Sequence, residues 1–375
     1  MRPRPTRLDR LPEQYFTRLL ARVSAAAAAS GEPLVDLGRG NPDIPPPAHV
    51  VSALAESAAR EDTHGYAPFA GLPALKEAIA ARYRDVYGVV VDPEREVAVL
   101  PGSKTGLIEF AQVTAERGSA IVLPDPGYPD YRSAVAMAAA EDIALPLLAD
   151  GRPEWAAAPD DAAALYLNYP SNPVAMCVPD GVFEETVAWA QRTGTWVLHD
   201  FAYGDIVFDR RRPQSFLATD GAREVGLELF SMSKSYGMAG WRLGFAIGNA
   251  ELVARIEDLQ NHVFAGVFMP VQHAGIAALT GSQATVDERR ATYEKRRDRV
   301  LAALPGADAR CEGTFFVWLR LPEGLTCERL LDEHRVALAP GEGFGAGGAG
   351  WARLSLATPD ERLDLGVERL AAALL

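Results

Sequence analysis

Cysteine is scarce in this chain: 375 residues carry three, Cys177, Cys311 and Cys327. They are odd in number, far apart and without the spacing of a zinc site, so neither a disulfide framework nor a bound metal is expected, and a reducing, cytoplasmic setting fits. Basic charge is also in deficit, with 37 Lys and Arg against 50 Asp and Glu, a net charge of −13. Binding to nucleic acid draws most of its affinity from clustered cations, so that partner is not expected, and the charge mainly favours solubility. No apolar run is long enough to span a membrane. The alanines at 25–29 fall far short and end at Ser30 and Gly31, where a helix should stop. The basic start leads into residues 11–23, where Glu13, Arg18 and Arg22 interrupt any apolar core, so no export signal is predicted. No internal repeat stands out, no Walker loop is present, and no Gly-x-Gly-x-x-Gly follows an early strand.

What remains is an ordinary globular composition, 48% hydrophobic and 23% charged. The length predicts roughly two domains, one of them large. Short β-rich runs at 97–100, 120–123, 164–167, 196–198, 228–230 and 243–247 alternate with helical apolar spacing at 105–115, 130–139 and 183–192. Such alternation predicts an α/β fold with a mainly parallel sheet. After about residue 280 the pattern changes to a charged helix at 286–303, strands at 315–319 and 352–356, and a closing helix at 361–374. That is the pattern of a smaller α+β unit. The glycine-rich stretch 340–350 reads as a flexible connector or a lid.

In parallel sheets, ligands sit beyond the carboxyl ends of strands. Four polar clusters fall there. After Leu100 comes Gly102-Ser103-Lys104 at a helix start, where backbone amides attract anions. After Leu167 comes Asn168-Tyr169-Pro170-Ser171-Asn172-Pro173, which by itself is only turn punctuation. After Leu198 come His199, Asp200 and Tyr203; an aspartate at the end of a buried strand is costly unless paired, so a cationic partner for Asp200 is implied. After Phe230 come Ser231, Ser233, Lys234 and Arg242. Lys234 is either a surface cation in a loop or a desolvated amine kept for imine chemistry. A phosphate-bearing ring with a carbonyl, a phenolic oxygen and a basic nitrogen would use all four clusters.

These residues, with Gly40-Asn41-Pro42-Asp43, His64-Gly65-Tyr66, Gly71-Leu72-Pro73 and Arg353, recur in order along the chain. The chain resembles the fold-type-I pyridoxal-phosphate aminotransferases of class I/II over essentially its whole length. The nearest branch is the alanine-forming and diaminopimelate-aminotransferase-like one. The resemblance implies a three-layer large domain at 46–280 and a small domain built from both termini, 1–45 and 281–375. It implies that Lys234 forms the Schiff-base link to pyridoxal 5′-phosphate and shuttles the substrate proton, and that Asp200 pairs with the ring nitrogen. Asn172 and Tyr203 would reach the phenolic oxygen and Tyr128 would stack on the ring. Gly102, Ser103, Lys104, Ser231, Ser233 and Arg242 would hold the phosphate. Tyr66 would reach the phosphate of a neighbouring subunit in a homodimer with shared sites. Arg353, with Asn172 and Gly40, would clamp the substrate carboxylate.

The activity implied is a ping-pong transamination between an amino acid and a 2-oxo acid, with glutamate and pyruvate as the expected pair. The alternatives are a β-lyase or specialised biosynthetic enzyme using the same cofactor, and a non-catalytic pyridoxal-phosphate-binding regulator. The regulator would need an added DNA-binding module, for which the roughly 40 residues ahead of the first motif leave little room at typical domain sizes. Two positions depart from the pattern of relatives: Val174 stands where threonine is usual and Thr105 where the near branch has glutamate. Arg39, beside Gly40, is expected to face solvent rather than a second substrate carboxylate.

Overall fold

The structure is a computed structural model that describes residues 4, 6–28 and 33–374. The expected helix stop at Ser30 and Gly31, and most of the basic start, lie outside the described residues. Thirteen strands occur in it: β1 (Val35–Asp36), β2 (Val97–Leu100), β3 (Ala120–Asp125), β4 (Glu141–Pro146), β5 (Ala164–Leu167), β6 (Trp196–Asp200), β7 (Gly226–Ser231), β8 (Gly244–Gly248), β9 (Ala309–Arg310), β10 (Phe316–Arg320), β11 (Val336–Ala337), β12 (Ala339–Pro340) and β13 (Trp351–Ser355).

Seven of them form one sheet in the order β2-β8-β7-β6-β5-β3-β4. All neighbours are parallel except β8, which runs antiparallel to both β7 and β2. Side chains alternate across a strand, so the two faces feed two cores. Val97, Val99, Leu165 and Leu167 pack on one side with the helices Pro73–Arg82, Val182–Thr193 and Met269–Thr280. Ala98, Leu100, Ala164 and Tyr166 pack on the other with the helices Ser103–Thr114, Asp130–Met137 and Ala250–Val263. Burial on both faces explains why the central strands read as continuous apolar runs.

The exception inside β7 is Glu228, which is fully buried and fully partnered. It accepts from the Ser215 hydroxyl at 2.7 Å and the Phe216 amide at 2.6 Å, and it pairs with His199 Nδ1 at 2.7 Å. β4 was not expected from the sequence. It is one of the sheet's two edge strands, and exposed Glu141, Asp142 and Ala144 leave it without an apolar signature.

A second, four-stranded antiparallel sheet has the order β12-β13-β10-β9, and β1 pairs in parallel with β11. The residues near 35 thereby join the C-terminal part of the chain. The helix Ala284–Ala303 ties this unit to the segment after β1: Arg296 bonds Asp43 at 2.8 Å, the Tyr293 hydroxyl bonds it at 3.2 Å, and Arg289 donates to the carbonyls of Ile44 and Pro45. The stretch 340–350 is neither a loose connector nor an open lid. Its carbonyl at Phe344 receives the Gly127 amide at 2.8 Å, and its Gly347 amide bonds Asp125 at 3.1 Å. Gly343 lies so close to the Tyr15 ring that a Cβ would collide with it, which explains the glycine content as close packing. Among the described residues no helix is long and apolar enough to cross a membrane.

Candidate active site

The carboxyl ends of β5, β6 and β7 open into a cavity of about 430 Å³ that also reaches the small sheet and the helix Tyr15–Ala28. Of the residues singled out in the sequence, Gly40, Ser103, Lys104, Tyr128 and Asn172 line it, as do Asp200, Tyr203, Lys234 and Arg353. Gly102, Ser231, Ser233, Arg242 and Tyr66 do not. These chain positions are as much as 313 residues apart (353 − 40); three separate elements of the sheet and the two-stranded pairing at β1 bring them together.

Lys234 sits in the short helix Met232–Ser235 that directly follows β7. Its amine donates to the Gly40 carbonyl at 3.2 Å and lies 5.8 Å and 5.3 Å from the ring centres of Tyr203 and Phe315. Burial lowers its pKa to about 8, the nearby cations Arg353 and Arg242 push in the same direction, and Asp200 opposes them. The amine is therefore largely neutral, and nucleophilic, above about pH 8.

Asp200 ends β6. Its carboxylate accepts from the Tyr131 hydroxyl at 2.8 Å and the Ala202 amide at 3.2 Å, and its own carbonyl receives the Asn168 side chain at 2.8 Å. No Lys or Arg forms an ion pair with it among the described residues, and its partners within the protein are a phenol and an amide. Burial raises its pKa while these two donors and the more distant charges lower it. Tyr131 is the residue that the sequence did not reveal. It follows Tyr128 by three positions at the start of a helix, and nothing in that spacing says which carboxylate its hydroxyl meets.

Arg353, on β13, is 1% exposed and ion-pairs with no carboxylate among the described residues. Its guanidinium donates to Asn172 Oδ1 at 2.8 Å and the Gly38 carbonyl at 3.1 Å, while Nε has no partner. Phe316 and Phe344 flank it with ring centres 4.0 and 4.8 Å from Cζ. Burial lowers its pKa to about 10, against an opposing pull from Tyr203, Tyr15 and Tyr128. A buried guanidinium so placed lacks the bidentate anion that its geometry suits.

The other expected residues fall around this centre. Gly102 (φ +89°) turns the chain into the helix Ser103–Thr114 and packs directly under the Arg242 guanidinium, where a Cβ would collide with it. Arg242 itself donates to the Ala239 carbonyl at 2.8 Å. Ser231 accepts from the Ser233 amide at 3.2 Å, capping the turn that carries Lys234. Lys104 lines the cavity and its amine pairs with Asp130 at 2.8 Å. Tyr66 stands away from the cavity, 87% exposed. Arg39 lines the cavity mouth, and its Nε bonds Asp36 at 2.8 Å with the side chain still largely in water. Val174 packs with Tyr15 and Trp318 behind the site.

A ring cofactor carrying a phosphate fits these groups. Asp200 is a buried carboxylate with no Lys or Arg paired to it among the described residues, the Arg242 guanidinium lies against Gly102 at a helix start, where backbone amides favour an anion, and Lys234 is a depressed amine. The family model described as aminotransferase class I and II matches residues 32–370. The chain is 42% identical, over 97% of its length and 94% of the relative's, to an L-glutamine–4-(methylsulfanyl)-2-oxobutanoate aminotransferase of Bacillus subtilis (strain 168). It is 36% identical, over 97% of each chain, to an LL-diaminopimelate aminotransferase of Dehalococcoides mccartyi. Among solved structures, substrate-bound BacF from Bacillus subtilis superposes with a TM-score of 0.93 at 36% identity, covering 100% of this chain and 98% of that one. The chain belongs to the class I and II aminotransferases, fold-type-I enzymes that use pyridoxal phosphate to move amino groups between amino acids and 2-oxo acids.

Proposed function

We propose a ping-pong transaminase in which Lys234 is the cofactor-linked amine and the proton carrier, and Arg353 is the clamp for the substrate α-carboxylate. One observation carries this reading. A buried guanidinium without a carboxylate and an amine with a depressed pKa face the same cavity. Arg353 fixes the substrate through its two-pronged geometry, with Asn172 orienting it from Oδ1. Lys234 Nζ, neutral when displaced, would take the proton from the substrate Cα and give it to the cofactor's aldehyde-derived carbon, so that the amino group stays with the cofactor when the oxo acid leaves. Pyridoxal phosphate supplies an aldehyde for the lysine link and a ring that withdraws electrons from the carbon losing its proton. Asp200, held by Tyr131, would pair with a positive ring nitrogen, Tyr203 and Asn172 would meet the phenolic oxygen, and Tyr128 would stack on the ring. Gly102, Ser103, Ser231, Ser233 and Arg242 would hold the phosphate beside the cavity, and Lys104 would join them on release from Asp130.

The same reading assigns 46–280 to the cofactor-binding domain, with 1–45 and 281–375 as the small domain; the β1–β11 pairing supports it. A homodimer is proposed from the exposed aromatic group formed by Tyr66, Phe69 and Phe268, with Val263 beside it. The three aromatics lie on two adjoining loops, since a Cβ on Gly266 would touch Ala67 and Pro68, and Val263 ends the helix that leads into the second. A cytoplasmic setting belongs to the same proposal, in keeping with three scattered cysteines that do not have the spacing of a disulfide framework.

The test is a half-reaction. Purified holoenzyme is given single amino donors without any oxo acid, glutamate and alanine among them, and the matching oxo acid is measured with the amino form of the cofactor. Stoichiometric conversion is expected, and borohydride should fix the label on Lys234. Ammonia or sulfide release would point to the lyase instead. A protein that binds cofactor and turns over nothing would be a regulator.

A further inference from the structure

We propose that the preferred substrates carry an apolar side chain, from about leucine to phenylalanine in size, received by Phe16, Leu19 and Leu20. This rests on the transaminase reading, which places the carboxylate at Arg353 and the amine at Lys234. The substituent on Cα then meets what is left of the cavity wall.

That wall is the helix Tyr15–Ala28. Residues 16, 19 and 20 stand at i, i+3 and i+4, so they share one face of the helix. All three line the cavity. Phe16 joins this face to the rest of the site, with its ring centre 5.4 Å from Arg353 Cζ and 6.1 Å from the Tyr128 ring. Leu19 packs beneath against the buried groups around Trp318 and Leu331, which holds the helix in place.

The charged groups at the mouth are already spent on one another. Arg39 is paired with Asp36, whose second oxygen takes the Gly38 amide at 3.0 Å. Lys104 is paired with Asp130, which also accepts from Gln14 at 2.9 Å. A carboxylate on the substrate side chain would compete with Asp36 or Asp130 for these cations or stand desolvated against phenylalanine and leucine. A side-chain ammonium would compete with Arg39 for Asp36. An apolar side chain faces neither cost and removes leucine and phenylalanine surface from water.

Single-turnover half-reactions of the holoenzyme measure this directly. Methionine, leucine and phenylalanine are compared with alanine, glutamate, lysine and diaminopimelate, as rate constant over dissociation constant. The apolar set should exceed alanine by about tenfold or more, the scale at which hydrophobic pockets discriminate, and should exceed the charged set. A readout without turnover accompanies it: calorimetry of 3-phenylpropanoate and 4-methylpentanoate against glutarate, with the first two binding more tightly. Leu20 is 37% exposed, so Leu20→Arg places a charge at the wall without burying it. Its methionine-to-glutamate ratio should fall at least tenfold with an unchanged melting temperature. Phe16→Leu, which stays apolar, should lower phenylalanine relative to leucine. Glutamate or diaminopimelate outrunning the apolar donors, or ratios unmoved in both variants, overturns the side-chain assignment and leaves the transaminase standing. No half-reaction with any donor removes both.

Discussion

Lys234 and Arg353 are two cations withdrawn from water in one cavity, and each is held there by groups that leave it incompletely neutralised. Lys234 responds by giving up its proton more easily; Arg353 keeps its charge and an unmet demand for an anion. The third charged residue, Asp200, shows what residue-level reasoning reaches and where it stops. A buried carboxylate needs a partner, and that much follows from its position at a strand end. The partner on the protein side is the hydroxyl of Tyr131, 69 positions away. Because that donor favours the charged form, Tyr131→Phe should push the Asp200 pKa further above the ordinary carboxylate range. Protonated Asp200 cannot hold a positive ring nitrogen, so the acid limb of the activity profile should move to higher pH. A hydrogen bond to a charged group is worth about 1.5–3 kcal/mol, or roughly ten- to a hundredfold in kcat. Measuring kcat against pH, together with the cofactor absorbance, checks this; an acid limb that stays put would mean that Tyr131 only packs.

At the scale of elements, the helix Ser103–Thr114 shows how a turn residue sets a binding surface. Gly102 has the positive φ that the entry to this helix demands, and the Arg242 guanidinium lies against its bare Cα. Gly102→Ala should both strain the backbone, at about 1–3 kcal/mol, and push the guanidinium away. The expected result is a melting temperature lowered by a few degrees and a weaker dissociation constant for pyridoxal phosphate added to apoenzyme, followed by fluorescence. A drop in melting temperature with cofactor affinity intact would place Arg242 outside the cradle. The sequence read β2 and β5 well, since both are buried on both faces and carry unbroken apolar runs. It missed β4, the edge strand opposite β2, whose exposed Glu141, Asp142 and Ala144 remove that signal. It read 340–350 as loose because glycine permits looseness, whereas here glycine permits contact with Tyr15 and Asp125.

For the whole molecule, the proposed homodimer rests on the exposed aromatics Tyr66, Phe69 and Phe268, and in that proposal Tyr66 serves the neighbour's site. Hybrid complementation tests this. Tyr66→Phe and Lys234→Ala subunits are refolded together, so that mixed dimers contain one site with both lesions and one with neither. Activity should rise above that of either variant alone, and sedimentation should give about twice 40.3 kDa. No recovery on mixing, with a monomer in the centrifuge, removes the shared site.

The sequence by itself determined the kind of sheet, because periodicity and strand burial are local properties. It also placed polar clusters at strand ends, where the chemistry of ligands is met, and its ordered motifs pointed to the family. Only the tertiary structure decided which groups face one another. Lys234 meets the Gly40 carbonyl across 194 positions and Arg353 meets Asn172 across 181. The structure also turned Lys104 toward Asp130, held Arg39 on Asp36, and laid Phe16, Leu19 and Leu20 over the cavity. Such pairings depend on how distant segments pack, and no local spacing encodes them.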